Sequence, residues 1–273
     1  MLKDITLGQY FPLNSVIHKI DPRFKILFTL LYIILVFFAD SFLGYVLVAV
    51  FSFALIKLSK VGFASIFKSL KPLLFIISFT AIINLFFTGG ENVVFEYKAI
   101  KITQDGIINA VNMALRLIFL VIGSSLLTYT TSPIMLTNGI ERLLSPFSKI
   151  GLASHEIAMM MTIALRFIPT LLEETEKIMV AQKARGADFE SGNLFRRAKA
   201  LVPVLVPLFI SSFRRADELA TAMECRCYKG GENRTSLTRL SIRRIDWTAL
   251  FVMLLFTAAI IAVNLINFSF LGF

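Results

Sequence analysis

Two short segments, 41 residues apart, repeat one arrangement of residue types: Ala181-Gln182-Lys183-Ala184-Arg185-Gly186 and Ala222-Met223-Glu224-Cys225-Arg226-Cys227. Each sets a single arginine where a long amphipathic stretch should end. A guanidinium is a planar fork that pairs bidentately with carboxylates, so an arginine on a projecting tip suits anchoring in a protein groove. An arginine there also complements the negative end of the helix dipole, which would be explanation enough for one copy. Two copies in the same register point to matched cationic tips, built to be held from outside.

Other chemistry is thinly represented. There is no G-x-x-x-x-G-K-[ST] phosphate loop, and Gly89-Gly90 and Gly230-Gly231 lack its context. No H-E-x-x-H or G-x-S-x-G pattern occurs, and no apolar run holds a close carboxylate pair. Cys225 and Cys227 are the only cysteines, and His18 and His155 are far apart in sequence. No metal set is therefore expected, and the cysteines read as small, semi-buried residues. Arg116 is the only charge well inside an apolar span and reads as a structural group that snorkels or pairs within a bundle. Asn84, Asn109, Asn112 and Asn264 read as interhelix hydrogen-bonding groups. These residues make neither an enzyme nor a carrier that works alone.

The elements that must position the tips lie in a membrane-like chain. Its hydrophobic fraction is 56%, its mean hydropathy +0.76, and it holds 27 phenylalanines, far from a soluble composition. A membrane-spanning helix needs about 20 apolar residues. Ile26 to Ile56 is broken only by Asp40 and reads as two helices joined by a tight turn at Asp40-Ser41. Leu73 to Gly90, Ile107 to Tyr129 and Trp247 to Phe273 supply three more spans, five in all. No cleavable signal is expected, because Met1 to Pro22 lacks an apolar core.

Charge sets an orientation. Of 28 lysines and arginines, 17 lie in residues 131–246, and the turn at Asp40 has none. Cytoplasmic loops carry the Lys/Arg excess, so the N-terminus and residues 131–246 are expected inside and the C-terminus outside. The net charge of +10 then reflects topology and attraction to membrane lipid rather than nucleic-acid binding. Three parts follow: residues 1–130 as a membrane domain of four spans, 131–246 as a cytoplasmic coupling-helix domain, and 247–273 as a last span.

Within residues 131–246 the punctuation predicts three helices. Pro133 opens a short one over Ile134 to Leu144, closed by Ser145-Pro146. A second runs from Ser154 to Arg185 with a kink at Pro169, and Gly186 as its C-terminal cap. Leu171, Leu172, Thr175, Ile178, Met179 and Gln182 form its apolar face, while Glu173, Glu174, Glu176, Lys177 and Lys183 form the polar one. A third runs from Phe195 to Cys227, where Phe209, Phe213, Ala216, Ala220 and Met223 recur at spacings of four and three and make a stripe toward a partner helix. The fold class is an all-α membrane protein of about five spans plus three cytoplasmic or interfacial helices, two of them long and crossed.

The whole chain resembles the transmembrane (T) components of energy-coupling factor (ECF) transporters, the EcfT family related to CbiQ. The resemblance is carried by Gly8-Gln9-Tyr10, by Ser15 to Lys25, by Ala164-Leu165-Arg166-Phe167-Ile168-Pro169-Thr170, by Ala184-Arg185-Gly186-Ala187-Asp188-Phe189, and by Leu201-Val202-Pro203 to Phe209-Ile210. It implies a scaffold joining two ABC-type ATPase subunits to a substrate-binding S component for vitamin or micronutrient uptake. It places Ala184, Arg185 and Gly186, and Cys225, Arg226 and Cys227, in grooves of the ATPases. ATP and Mg would be bound by those partners, with no cofactor in this chain. Cys227 departs from the family pattern, which has glycine there. Met179 to Phe189 resembles shared-module T components more than dedicated cobalt, nickel or biotin ones. The rival reading is a stand-alone secondary carrier using Arg116 and the asparagines at a midplane site, but the spans show no internal symmetry.

Overall fold

Asp21 and Pro22 begin the first membrane helix for reasons local to the sequence. Asp21 accepts the backbone N–H of Arg23 at 3.0 Å as N-cap, and proline at the first helical position loses no hydrogen bond. In this computed structural model, which describes residues 10–39, 41–89, 93–97, 100–150, 153–189, 191, 193–230 and 240–270, α1 spans Pro22–Phe38 and α2 Phe42–Ser59. Ser41 caps α2 through Gly44 N–H at 3.0 Å, so the turn expected at residues 40–41 is a helix start. Asp40 itself lies outside the described residues. Next come α3 (Phe63–Leu70), α4 (Leu74–Phe87), strands β1 (Val93–Tyr97) and β2 (Ile100–Thr103), and α5 (Gln104–Thr130). They are followed by α6 (Pro133–Leu144), α7 (Ser154–Ala184), α8 (Leu194–Cys225) and α9 (Arg244–Phe270). The β1–β2 antiparallel hairpin, not anticipated from sequence, pairs Tyr97 with Ile100 and Val93 with Thr103. Thr103 ends it and caps α5, accepting from Gly106 N–H at 3.1 Å.

Five helical stretches are long and apolar enough to cross a membrane: Phe42–Ser59, Phe63–Phe87, Gln104–Thr130, Ser154–Ala184 and Arg244–Ile266. The number agrees with the sequence reading, but the members differ. Helix α1 has 17 residues, one fewer than α2, at the short end of the roughly 17–25 that a spanning helix uses. Conversely, the uncharged run Ile157 to Leu165 continues in one helix with Phe167, Ile168 and Leu171, so α7, expected in the cytoplasmic domain, is long and apolar enough to cross a membrane.

The described residues form two compact units, 10–139 with 240–270, and 140–230. In the first, α1, α2, α5 and α9 enclose a core around Tyr32, Val36, Val48, Phe119 and Ile260. Gly123 makes room for Tyr32, whose ring would lie 2.4 Å from a Cβ there. The Tyr32 hydroxyl bonds Ser52 Oγ at 2.8 Å and donates to Phe119 O at 3.2 Å. On the other side of α1, Leu27, Leu30, Ile34 and Phe37 recur at spacings of three and four and stay exposed, as a lipid-facing stripe must.

Intramembrane polar groups close a helix end. The last carbonyls of a helix have no partner inside it. In α1 the Phe37 carbonyl accepts from Arg116 at 3.5 Å, and that of Phe38 from Asn264 Nδ2 at 2.5 Å. Arg116 also lies over the Phe37 ring, 5.5 Å from its centroid. Its structural reading thus has a concrete form, and Asn264 bonds between helices as expected. Asn84 does not: its amide turns back to Thr80 O on its own helix.

The segment Ser15 to Lys25 is a polar knot fastening α1, α5 and α9. Asp246, 1% exposed, accepts from Asp21 N–H at 2.8 Å and Arg243 N–H at 2.6 Å. Lys25 Nζ donates to His18 O at 3.3 Å, Thr130 O at 2.9 Å and Thr131 Oγ1 at 3.2 Å, so a terminal α5 carbonyl is satisfied. Burial alone would raise the Asp21 carboxyl, but the guanidinium and N–H of Arg23 outweigh it and hold the group below its ordinary range. His18 Nε2 lies 3.0 Å from the Phe11 carbonyl, which only accepts, so this nitrogen carries the proton in the neutral ring. Burial, with a smaller contribution from the Lys25 charge, holds His18 below its ordinary 6.5, and the Phe11 carbonyl only partly opposes this.

Candidate coupling interface

The second unit is built on α7 and α8, 31 and 32 residues long. Three prolines lie inside them, Pro169, Pro203 and Pro207, and the helices continue through each. A proline has no N–H for the carbonyl four residues earlier. Pro207 therefore frees the carbonyl of Pro203, and Gln182 Nε2 donates to it from α7 at 3.4 Å. The defect in one helix becomes an attachment point for the other.

Further along the pair, Glu174 accepts from Arg215 Nη2 at 2.6 Å and from the Ser211 hydroxyl. The contacts at Glu174 and Gln182 meet decreasing residue numbers on α8, so the helices run antiparallel. Glu174 was assigned by periodicity to the solvent face. It is half-buried between the helices because Arg215 supplies its counter-charge there. Single-helix periodicity cannot anticipate that pairing, although the charge complement on α8 was a signal. The predicted α7 face of Leu171, Leu172, Thr175, Ile178, Met179 and Gln182 is indeed the half-buried one.

The stripe expected on α8 does not meet α7. Phe209 and Phe213 are 64% and 57% exposed, and Ala216 and Ala220 are exposed as well. The α8 face turned to α7 is the adjoining one, with Ser211 and Arg215. Hydroxyl, guanidinium and proline carbonyl bond the two helices, and on α8 Val204 is buried and Leu208 and Leu219 half-buried. The rings of Phe209 and Phe213 pack on each other at 4.6 Å and head an open apolar surface with Leu205 and Ile210. A contiguous exposed surface of this kind marks an interaction site.

The helix ends reproduce one another bond for bond. In the first, Arg185 N–H donates to Ala181 O at 3.2 Å, Gly186 N–H to Lys183 O at 3.0 Å, and Ala187 N–H to Gln182 O at 3.0 Å. In the second, Arg226 N–H donates to Ala222 O at 3.3 Å, Cys227 N–H to Glu224 O at 2.8 Å, and Tyr228 N–H to Met223 O at 3.0 Å. Both are Schellman caps, which need a left-handed residue after the C-cap. Gly186 has φ +88 and Cys227 φ +56. Cysteine in place of glycine thus leaves the cap intact and puts strain in the backbone instead. Arg185 and Arg226 occupy the equivalent C-cap position, with φ −86 and −89, and are exposed together with Ala184, Cys225 and Cys227. The exposed thiols correct the expectation of semi-buried cysteines. At ~1.5 Å per residue, the run from Pro203 to Arg226 separates the tips by roughly 35 Å along the axes.

A family model described as a cobalt transport protein matches residues 13–237. Among curated proteins, the chain is 60% identical over 250 residues to the energy-coupling factor transporter transmembrane protein EcfT of Clostridium kluyveri, covering 91% of this chain and 93% of the relative. It is 50% identical over 268 residues to the protein of that name from Ruminiclostridium cellulolyticum, covering 98% and 100%. The Bacillus subtilis protein of that name is 42% identical over 261 residues, covering 96% and 98%.

Proposed function

Because the chain belongs to the family of energy-coupling factor transporter transmembrane proteins, multi-pass membrane components of a transport complex, we propose that it transmits force from two ABC-type ATPases to a substrate-binding S component. Arg185 and Arg226 each seat in a groove of one ATPase. Closure of the ATPases on ATP moves the two sockets, the angle between α7 and α8 changes, and the S component resting on the Phe209–Phe213 surface tilts and releases its vitamin or micronutrient inward. ATP and Mg stay with the ATPases. The N-terminus and the tips of α7 and α8 face the cytoplasm, and the module serves more than one S component, in line with the resemblance around Met179 to Phe189.

The observation that carries this reading is the pair of identically capped, exposed arginines at opposite ends of two bonded helices. Their separation of roughly 35 Å suits two sockets rather than one. The matched caps fix the backbone from which each arginine projects, and the bonds at Glu174 and Gln182 make the helices one mechanical part. Truncating an arginine buried and paired in an interface costs about 2–5 kcal/mol. Arg185→Ala/Arg226→Ala should therefore lose the ATPase subunits on affinity purification from native membranes, or hydrolyse ATP without uptake. Unchanged assembly and unchanged uptake in the double variant would overturn the reading.

A further inference from the structure

A cavity of about 230 Å³ opens in the first unit, at the end where α1 and α9 begin and α2 and α5 finish. Its floor includes Tyr32, Leu126 and Met253, all less than 9% exposed, and Val16, Leu58 and Thr248 at its mouth are exposed. The walls are almost wholly apolar, and Lys25, the one charged residue among them, already donates to three protein oxygens. The space exceeds the ~150 Å³ that holds benzene in an apolar protein cavity. It falls below the ~300–1,000 Å³ of sites that enclose drug-sized ligands. It therefore fits a length of hydrocarbon chain, and its apolar walls offer few partners to the polar groups of a vitamin.

Two features fix where this cavity sits in a bilayer. Trp247, the single tryptophan, is 64% exposed one turn above Val252 on α9, and exposed tryptophans lie at the headgroup level. The lining residues Thr248, Ala249, Val252 and Met253 follow it directly, so the cavity lies just inside the headgroup layer. Cations surround that level. Lys19 lies between the lining residues Ile17 and Ile20, and Arg244 precedes Ile245; both are exposed, whereas Lys57 turns away over the Phe53 ring, 5.2 Å from its centroid. The carboxylates at this end, Asp21 and Asp246, are buried and turned to backbone N–H groups and Arg23, so they do not oppose an anion at the mouth. Basic pockets between membrane helices recognise anionic headgroups.

We infer that this cavity is a phospholipid site, holding one acyl chain of an anionic lipid while Lys19 and Arg244 pair with its phosphate. The bound lipid fills what would otherwise be a void among α1, α2, α5 and α9 and ties the unit to the leaflet on that side.

The test uses the full-length chain in nanodiscs of equal phosphatidylglycerol and phosphatidylcholine, released into native mass spectrometry. One phosphatidylglycerol should remain bound, at least tenfold over phosphatidylcholine. Ala249→Phe, which fills the cavity, should lose it. K19Q/R244Q should bring the two lipids to parity, and glycerol phosphate added alone should not displace the lipid. Phosphatidylglycerol with a photoreactive group in its acyl chain should label Leu126, Val252 or Met253 in the unaltered protein, a readout that needs no variant. Labelling confined to the outward Phe251 and Leu255, equal retention of both lipids by the unaltered chain, or full retention by Ala249→Phe would overturn the proposal.

Discussion

Cys227 holds a backbone angle that glycine adopts freely and other residues adopt at a cost of about 1–2 kcal/mol. The partner position, Gly186, has the residue that avoids this cost. Gly186→Ala should therefore destabilise the first cap by about 1 kcal/mol, speeding hydrogen exchange of the Arg185 to Ala187 amides roughly fivefold. Cys227→Gly should relieve that strain and slow exchange at Arg226 to Tyr228, with unfolded-state entropy offsetting part of the gain. Faster exchange in Cys227→Gly would contradict this. Arg185→Lys keeps the charge but loses the fork, so its effect on ATPase binding should lie nearer to alanine than to arginine. Quantitative co-purification would decide this. The tips were legible in sequence because capping signals are local: glycine after Arg185, and the same spacing around Arg226. Cys227 masked the second signal, since nothing in the residue type announces a left-handed angle.

At the level of elements, Glu174 holds α7 to α8 through Arg215 and Ser211. Removing it leaves a half-buried guanidinium without its carboxylate, a loss of about 1.5–3 kcal/mol for bonds to charged groups. Glu174→Ala should lower the thermal midpoint of the purified chain and uncouple ATP hydrolysis from uptake while the ATPases stay bound. Loss of ATPase binding with unchanged stability would show that Glu174 acts at the tips instead. The N-terminal knot makes a prediction of opposite character. His18 is held below 6.5 in the fold, so the unfolded chain binds the proton more readily. Its contribution to stability is present above that value and is lost as pH falls through the lower folded value. The thermal midpoint should drop between pH 7 and pH 5, and His18→Gln should flatten the drop; a steeper drop in the variant would contradict this. The bounds of α6 and the end of α7 could be read from Pro133, Ser145-Pro146 and Gly186 alone. The inward face of Glu174 and the Gln182 bond to Pro203 could not, because each depends on the partner helix. The β1–β2 hairpin escaped notice because strands of five and four residues give too short a period to detect.

For the whole molecule, the sequence disclosed a membrane protein with one long polar insertion through hydropathy and charge, both of which accumulate over many residues. Which stretches span was less legible: an apolar window extended into α7, inside the insertion that charge had marked as polar. The central claim is that partner ATPases hold the two arginine tips. The only two thiols of the chain, Cys225 and Cys227, flank Arg226 and are exposed. A membrane-impermeant maleimide applied to inside-out vesicles should label them readily when the chain is alone. The thiols should be protected by at least tenfold when both ATPases are assembled on it, and prior labelling should block assembly. Full labelling of a fully assembled complex would contradict the account.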